Sequence, residues 1–265
     1  MSEVWLDGAF VNADAAHVSI TDRGFLLGDA AFETMRFETG GIRRWPRHRA
    51  RLSGALDFLR IAPPDWAVIE AAAARLAAPC ADAVLRLTVT RGAYGGGLDA
   101  PDFAPGRALL TAAPRKSPPA ALTLVTIPEA RRAGLASERF KLSGYAEPLL
   151  ARRLAKDRGA DMGVLVSAID GSPVCADCAS LFWIETDRVF TPKVSAGALP
   201  GTARAALIEA ASGQGIEIRE RRADPGLARA DAAFVTNAAI GLVPVATFDG
   251  RLLEIDHELV STLRG

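Results

Sequence analysis

Three prolines fall within six residues at Pro114-Arg115-Lys116-Ser117-Pro118-Pro119, near the middle of this 265-residue chain. Proline fixes φ and lacks an amide hydrogen, so neither a helix interior nor a central strand passes through such a segment. The stretches on either side each read as mixed α and β. Residues 1–113 are therefore taken as a small N-terminal α/β domain, 114–120 as a linker, and 121–265 as a larger C-terminal domain.

In the first domain the pattern predicts a strand pair from Val4 to Val11 and a strand over Ala31 to Glu38. A helix is expected from about Arg47 to Ile61, where Leu52, Ala55, Leu56 and Leu59 repeat at helical spacing and Pro63-Pro64 ends the run. An alanine-rich helix from Asp65 to about Ala78 and strands at Ala83 to Arg91 and Arg107 to Ala113 complete it. Beyond the linker, strands are predicted at Leu122 to Ile127, Met162 to Ile169, Leu181 to Glu185, Ile216 to Arg221, Ala232 to Thr236 and Val243 to Phe248. Only two good helices interrupt them, Glu147 to Arg158 and Thr202 to Ala211. Strands that outnumber helices without alternating with them disfavour a doubly wound parallel sheet. The expected fold is mixed α+β, with an antiparallel or mixed, barrel-like C-terminal domain.

Composition narrows the function classes. Hydrophobic residues make up 49% and charged ones 23%, with formal net charge zero, so a folded core is expected and a basic footprint for nucleic acid is not. Glu3, Trp5 and Asp7 stand where an apolar leader core would begin, and no run reaches membrane-spanning length, which points to a cytoplasmic protein. Cys80, Cys175 and Cys178 are too few for a disulfide framework. Cys175-Ala176-Asp177-Cys178 has the CxxC spacing of redox and zinc sites. A structural zinc site takes about four ligands, and only Cys80, His17, His48 and His257 remain, scattered. No metal site is expected. Two reduced cysteines in or beside a strand are the better reading, with a redox protein as the competitor.

The chemistry-bearing candidate is a lysine. There are four, Lys116, Lys141, Lys156 and Lys193, among 31 basic residues, the rest being arginine. Arginine keeps its proton at any useful pH, whereas a lysine amine can deprotonate and attack a carbonyl. Lys141, in Phe140-Lys141-Leu142-Ser143-Gly144-Tyr145 just before a helix-like run, is the best placed of the four. A partner for it lies in Leu199-Pro200-Gly201-Thr202-Ala203-Arg204, where a glycine turn opens a helix and presents backbone N–H groups to an anion. Thr236-Asn237 closes a strand with further donors. An imine-forming lysine with two phosphate-holding loops suggests pyridoxal 5′-phosphate.

Several blocks in order then resemble the class IV (fold type IV) pyridoxal-phosphate enzymes, which include branched-chain and D-amino acid aminotransferases and aminodeoxychorismate lyase. Asp22-Arg23-Gly24-Phe25-Leu26-Leu27-Gly28-Asp29 with Phe32-Glu33-Thr34-Met35-Arg36 resembles the family's opening signature, and His48-Arg49-Ala50-Arg51-Leu52 is similar to its helix motif. Ala179-Ser180-Leu181-Phe182-Trp183 resembles its Ala-Asn-Leu-Phe-Trp strand. The resemblance implies a two-domain fold, a homodimer with its active site between the domains, and amino acid and 2-oxo acid substrates. It makes Lys141 the Schiff-base lysine and proton carrier. Arg51, Gly201, Thr202, Ala203, Thr236 and Asn237 become phosphate ligands, and Tyr145 a contact of the cofactor's phenolic oxygen. Arg86, with Arg36 as a weaker candidate and Phe32 nearby, becomes the substrate-carboxylate site.

One position departs from the family. Where the family pairs a glutamate with the pyridine nitrogen, this chain has Cys175, and a neutral thiol is a poor substitute for a carboxylate. Asp177, two residues on, shares its face if the segment is extended. The alternative is a weakened electron sink, or a non-catalytic relative that keeps only the fold. An amino acid aminotransferase is placed first on the Lys141 and Tyr145 spacing. Aminodeoxychorismate lyase, which forms 4-aminobenzoate and pyruvate, is second: Thr90 to Leu98 resembles that enzyme's segment but lacks the expected arginine.

Overall fold

The computed structural model describes residues 3–38, 40–94, 97–132 and 134–264. Gly95 and Gly96 of the lyase-like stretch lie outside the described residues. The chain forms two compact units, Met1–Lys116 with Phe140–Gly144, and Ser117–Arg139 with Tyr145–Gly265. Chain order alone assigns Lys141 to the C-terminal half. By its contacts the five-residue segment that carries it belongs to the first unit.

The first unit contains β1 (Glu3–Leu6), β2 (Ala9–Asn12), α1 (Arg23–Leu27), β3 (Ala30–Glu38), β4 (Gly41–Ile42), α2 (Trp45–Leu59), α3 (Trp66–Ala77), β5 (Asp82–Thr90) and β6 (Arg107–Pro114). Its strands pair in the order β2-β1-β6-β5-β3-β4, all antiparallel. Alternation sorts the faces. Ala31 and Met35 of β3 and Leu85, Leu87 and Val89 of β5 pack with Leu52, Ala55 and Leu56 of α2 and Ile69, Ala72 and Ala73 of α3. Full burial of each large apolar side chain contributes roughly 1.5–3 kcal/mol, so this one cluster holds both helices on one side of the sheet. Phe32, Thr34, Arg86 and Thr88, in between, project to the other. Asp65 caps α3 by accepting hydrogen bonds from the Ala67 and Val68 amides at 2.9 and 3.4 Å. Pro46 opens α2, and Arg60 in the left-handed region closes it.

The second unit contains β7 (Leu122–Arg132), α4 (Ala146–Asp157), β8 (Met162–Ser167), β9 (Pro173–Ala176), β10 (Ser180–Glu185), β11 (Arg188–Thr191), α5 (Thr202–Gly213), β12 (Ile218–Glu220), β13 (Ala232–Asn237), β14 (Gly241–Phe248), β15 (Arg251–Leu252) and α6 (Glu258–Arg264). Its mixed sheet runs β12-β11-β10-β13-β14-β7-β8-β9, with β15 on β14, and parallel pairs β11/β12, β14/β7 and β7/β8. Leu181, Trp183, Ala233 and Val235 face one core cluster, while Phe182, Ile184, Ala232 and Phe234 face another beside Ala211, Val260 and Leu263. Burial on both faces explains why these strands read as unbroken apolar runs.

Several features differ from the sequence expectation. β7 continues past Ile127 to Arg132 through an irregularity between Ile127 and Arg131, the stretch that contains Pro128. β12 starts two residues late because the Ile216 amide is used by the exit of α5, donating to the Ala211 carbonyl at 2.9 Å. α1 and α6, of five and seven residues, are too short for a helical period to show.

Candidate active site

Phe140-Lys141-Leu142-Ser143 alternates apolar and polar because it behaves as one more strand. The Phe32 amide donates to the Lys141 carbonyl and the Ser143 amide to the Ala30 carbonyl, each at 2.9 Å, flanking an antiparallel bridge between Ala31 and Leu142. Phe140 stacks on Phe58 with centroids 4.8 Å apart, and Leu142 packs against the first unit's core. Lys141 and Ser143 consequently project away from that core. Gly28, the C-cap of α1 at φ 69°, lets this segment pass: a Cβ there would stand 3.3 Å from the Gly144 nitrogen. The opening signature thus acts partly as a seat for the lysine segment.

The Lys141 amine lies 4.3 Å from the centroid of the buried Phe32 ring, and the Arg86 guanidinium lies 3.8 Å from the same centroid. Two cations on one ring are each stabilised by its quadrupole. Strand register sets Thr34 of β3 and Thr111 of β6 directly opposite Arg86 on either side, so an exposed guanidinium stands in a row with two hydroxyl residues. Arg36 is differently placed. Its Nε and Nη2 donate to both Asp82 carboxylate oxygens at 2.8 Å, and Nη2 also meets Glu38 at 2.9 Å. That engagement argues against Arg36 as a substrate-carboxylate group.

Arg51 is held by a carboxylate that sequence reading passed over. Its Nε and Nη2 donate to Glu33 Oε1 and Oε2, both at 2.7 Å, and His48 Nδ1 stands 2.7 Å from Glu33 Oε2. Glu33 and His48 are almost fully buried, whereas 11% of the Arg51 side chain reaches solvent. Burial pushes the Glu33 carboxyl up, but the hydrogen bonds from His48 and Arg51 outweigh it and hold the group below the usual glutamate range. A second buried knot joins Asp29 to Arg23 at 3.0 Å and to Arg91 at 2.6 Å. Arg23 then donates to the carbonyls of Gly97, Leu98 and Asp99, which pins the loop after β5. The signal for both knots was the buried-strand position of Glu33 and the arginine excess, neither of which names a partner.

In the second unit, Gly201 is the N-cap of the 12-residue α5 and makes no side-chain cap bond. A Cβ on it would stand 2.8 Å from Ser180 Oγ, so a larger residue would make that side chain shift where the turn meets β10. Thr202 and Ala203 form the buried first turn of that helix. Ser180 is paired in register with Thr236, which brings the two predicted phosphate loops to one end of the sheet. Asn237 is employed in shaping its own turn: Oδ1 accepts from the Ala239 and Ile240 amides at 2.9 Å, and Nδ2 donates to the Cys178 carbonyl at 3.0 Å. Tyr145 stands at the N-cap of α4.

Cys175 lies in β9 opposite Leu165, and burial pushes its thiol up to about 11. Asp177 does not share its surroundings. β9 ends at Ala176, and the Asp177 carboxylate accepts from Arg152 Nη2 at 2.5 Å and from the Gly163 amide at 3.0 Å. The extended segment needed to carry both residues on one face stops before Asp177. Its charge neutralises Arg152 and cannot be counted on for a ring nitrogen. All three cysteines are free thiols, and the described residues contain no cluster of three or more His, Cys, Asp or Glu side chains arranged to hold a metal.

A family model described as amino-transferase class IV matches residues 30–248, most of the chain. This chain belongs to the class IV aminotransferase family. Among curated proteins it is 29% identical to a putative branched-chain-amino-acid aminotransferase of Methanocaldococcus jannaschii, over 95% of this chain and 89% of that one. It is 25% identical to the aminodeoxychorismate lyase of Vibrio harveyi, over 96% and 94%. Among solved structures, the fold IV-transaminase of Curtobacterium pusillum superposes with TM-score 0.83 at 25% identity, over 98% of this chain and 95% of that one. The fold is also that of the Escherichia coli branched-chain enzyme, at TM-score 0.88 and 23% identity, over 99% and 92%. A further neighbour, a branched-chain amino acid aminotransferase with pyridoxamine 5′-phosphate, superposes with TM-score 0.89 at 25% identity, over 99% and 91%. The family and these neighbours point to a pyridoxal-phosphate cofactor and small-molecule substrates. No helix among the described residues is long and apolar enough to cross a membrane.

Proposed function

We propose that this class IV enzyme is a pyridoxal-phosphate-dependent aminotransferase that moves an amino group between an amino acid and a 2-oxo acid, with Lys141 as its catalytic lysine. One observation carries the reading. The lysine of the first unit's bridged segment is locked to β3 by two backbone hydrogen bonds, and its amine shares the Phe32 ring with Arg86.

Donors suited to the cofactor's anionic end occur in each unit taken by itself. The first turn of α5 opens at a glycine without a side-chain cap, and Arg51 is oriented by Glu33. Thr236 and the turn built by Asn237 add to this set. At the ring nitrogen the family position holds Cys175, whose raised thiol is neutral near pH 7 and offers no counter-charge. When bound, pyridoxal phosphate supplies an aldehyde that joins an amine and a ring that withdraws electrons from the bonds at its carbon.

The chain's own groups do the rest. Lys141, once its amine is uncharged, would take the proton from the substrate α-carbon and return one at the carbon that the cofactor contributes. Arg86 pairs with the substrate carboxylate and, being planar and permanently charged, fixes its orientation. Phe32 lies against both groups, its ring centroid 4.3 Å from the Lys141 amine and 3.8 Å from the Arg86 guanidinium. Tyr145 is assigned to the cofactor's phenolic oxygen. Cys175, lacking charge, would offer the ring nitrogen less support than a carboxylate partner.

Borohydride reduction of the reconstituted protein should fix the cofactor on the Lys141 peptide, and Lys141→Ala should lose both that adduct and all turnover. Incubation with amino donors and 2-oxoglutarate should yield glutamate. Release of pyruvate and 4-aminobenzoate from aminodeoxychorismate with no oxo acid present would replace the transferase reading with the lyase one.

A further inference from the structure

Ser143 Oγ is a buried side-chain oxygen with no hydrogen-bond partner among the described residues. Native proteins rarely leave such a group unmet, because an unpaired buried hydroxyl costs free energy that an alanine would not. Its position is informative. Lys141 and Ser143 flank the bridge residue Leu142, which turns into the core, so both side chains leave the segment on the same side, about 6.6 Å apart along it. The flexible four-carbon stem of a lysine spans that gap. In the structure the amine sits over Phe32, 4.3 Å from the ring centroid, and leaves the serine hydroxyl unmet.

We propose that Ser143 is a positioning residue that gives the Lys141 amine a second station. Once a substrate amine has displaced it from its covalent place, Lys141 swings from Phe32 toward Ser143, and Oγ accepts one of its N–H bonds. The hydrogen bond leaves the nitrogen lone pair directed at the substrate α-carbon, where it removes the proton. The hydroxyl takes no proton itself and remains available for the next cycle. The proposal rests on the aminotransferase reading of Lys141 and adds a residue to it.

The test uses full-length protein loaded with pyridoxamine 5′-phosphate, in which the lysine amine is free. Acylation by acetic anhydride is followed across pH at the Lys141 peptide by mass spectrometry, a measurement that four lysines keep simple. An acceptor stabilises an ammonium more than an amine, so the Ser143→Ala profile should move to lower pH and the Ser143→Thr profile should stay with the wild type. In turnover, Ser143→Ala should lower kcat by about tenfold with KM within about twofold. The melting temperature of the cofactor-free variant should be unchanged or raised, since no hydrogen bond is removed there. Labelling profiles and kcat that coincide with wild type, or a lowered melting temperature with an unmoved profile, would show the hydroxyl to be filler and overturn the proposal. Failure of borohydride to fix cofactor on Lys141 in wild-type protein identifies the other fault, in the reading of the lysine.

Discussion

Glu33 and Asp177 are both buried carboxylates met by a guanidinium, and they lead to opposite conclusions about function. Glu33 takes two arginine N–H bonds and one histidine, and in doing so fixes the orientation of Arg51. Asp177 takes Arg152 and a backbone amide, and its binding capacity is spent inside the fold. A paired carboxylate is thus either scaffold for a working cation or the end of a structural link. Exposure of the cation does not separate the two, since the Arg152 side chain is more open to solvent than that of Arg51, and pairwise chemistry alone does not decide it.

Removing the first carboxylate should have the larger effect. Glu33→Ala strands Arg51 and His48 in a low-dielectric site and should cost about 3–5 kcal/mol in urea unfolding at pH 7, with weaker cofactor retention. Because this carboxyl is held below its ordinary value in the folded state, its contribution is complete above the ordinary glutamate range and drains away as pH falls through the native value. The Ala variant should lack that part of the acid decline. An unchanged midpoint would mean that the pair is not a scaffold.

Cys175 makes a test at the other end of the pH scale. Its thiol is raised from 9.0 to about 11 by burial, so the wild type keeps this contribution below pH 9 and loses it as pH climbs toward 11. The full loss is about 2–3 kcal/mol, and Cys175→Ala should not show it in alkaline denaturation. Smallest of the three is Asp177→Asn, expected to cost about 1–2 kcal/mol through the Arg152 and Gly163 bonds. The visible band of the reconstituted protein should stay in place. A shifted band would return Asp177 to the cofactor and erase the contrast with Glu33.

Much of the architecture was legible because it follows from local period. The apolar spacing of α2 and the unbroken runs of β10 and β13 report which faces meet a core, and the proline cluster reports a break. Lys141 is a candidate on chemical grounds, as a residue type used sparingly in a chain that otherwise uses arginine. Glu33 was not legible as a partner of Arg51, because the two are joined across a strand and a helix and nothing in their spacing states the contact. Asp177 was misplaced by assuming an extended backbone through residue 177. The strand ends at Ala176, where the Asp177 amide donates to the Gly163 carbonyl at 2.8 Å.

Taken alone, the order of residues determined the mixed fold and the family blocks and singled out Lys141 as a candidate, since these depend on residue type and short-range period. Tertiary structure decided which charges are already neutralised. Arg36 and Asp177 are consumed by partners 46 and 25 positions away, and the Arg86 guanidinium and the Lys141 amine are both brought onto the Phe32 ring. Electrostatic engagement is settled by distances of a few ångströms in space, and sequence separation carries no record of them.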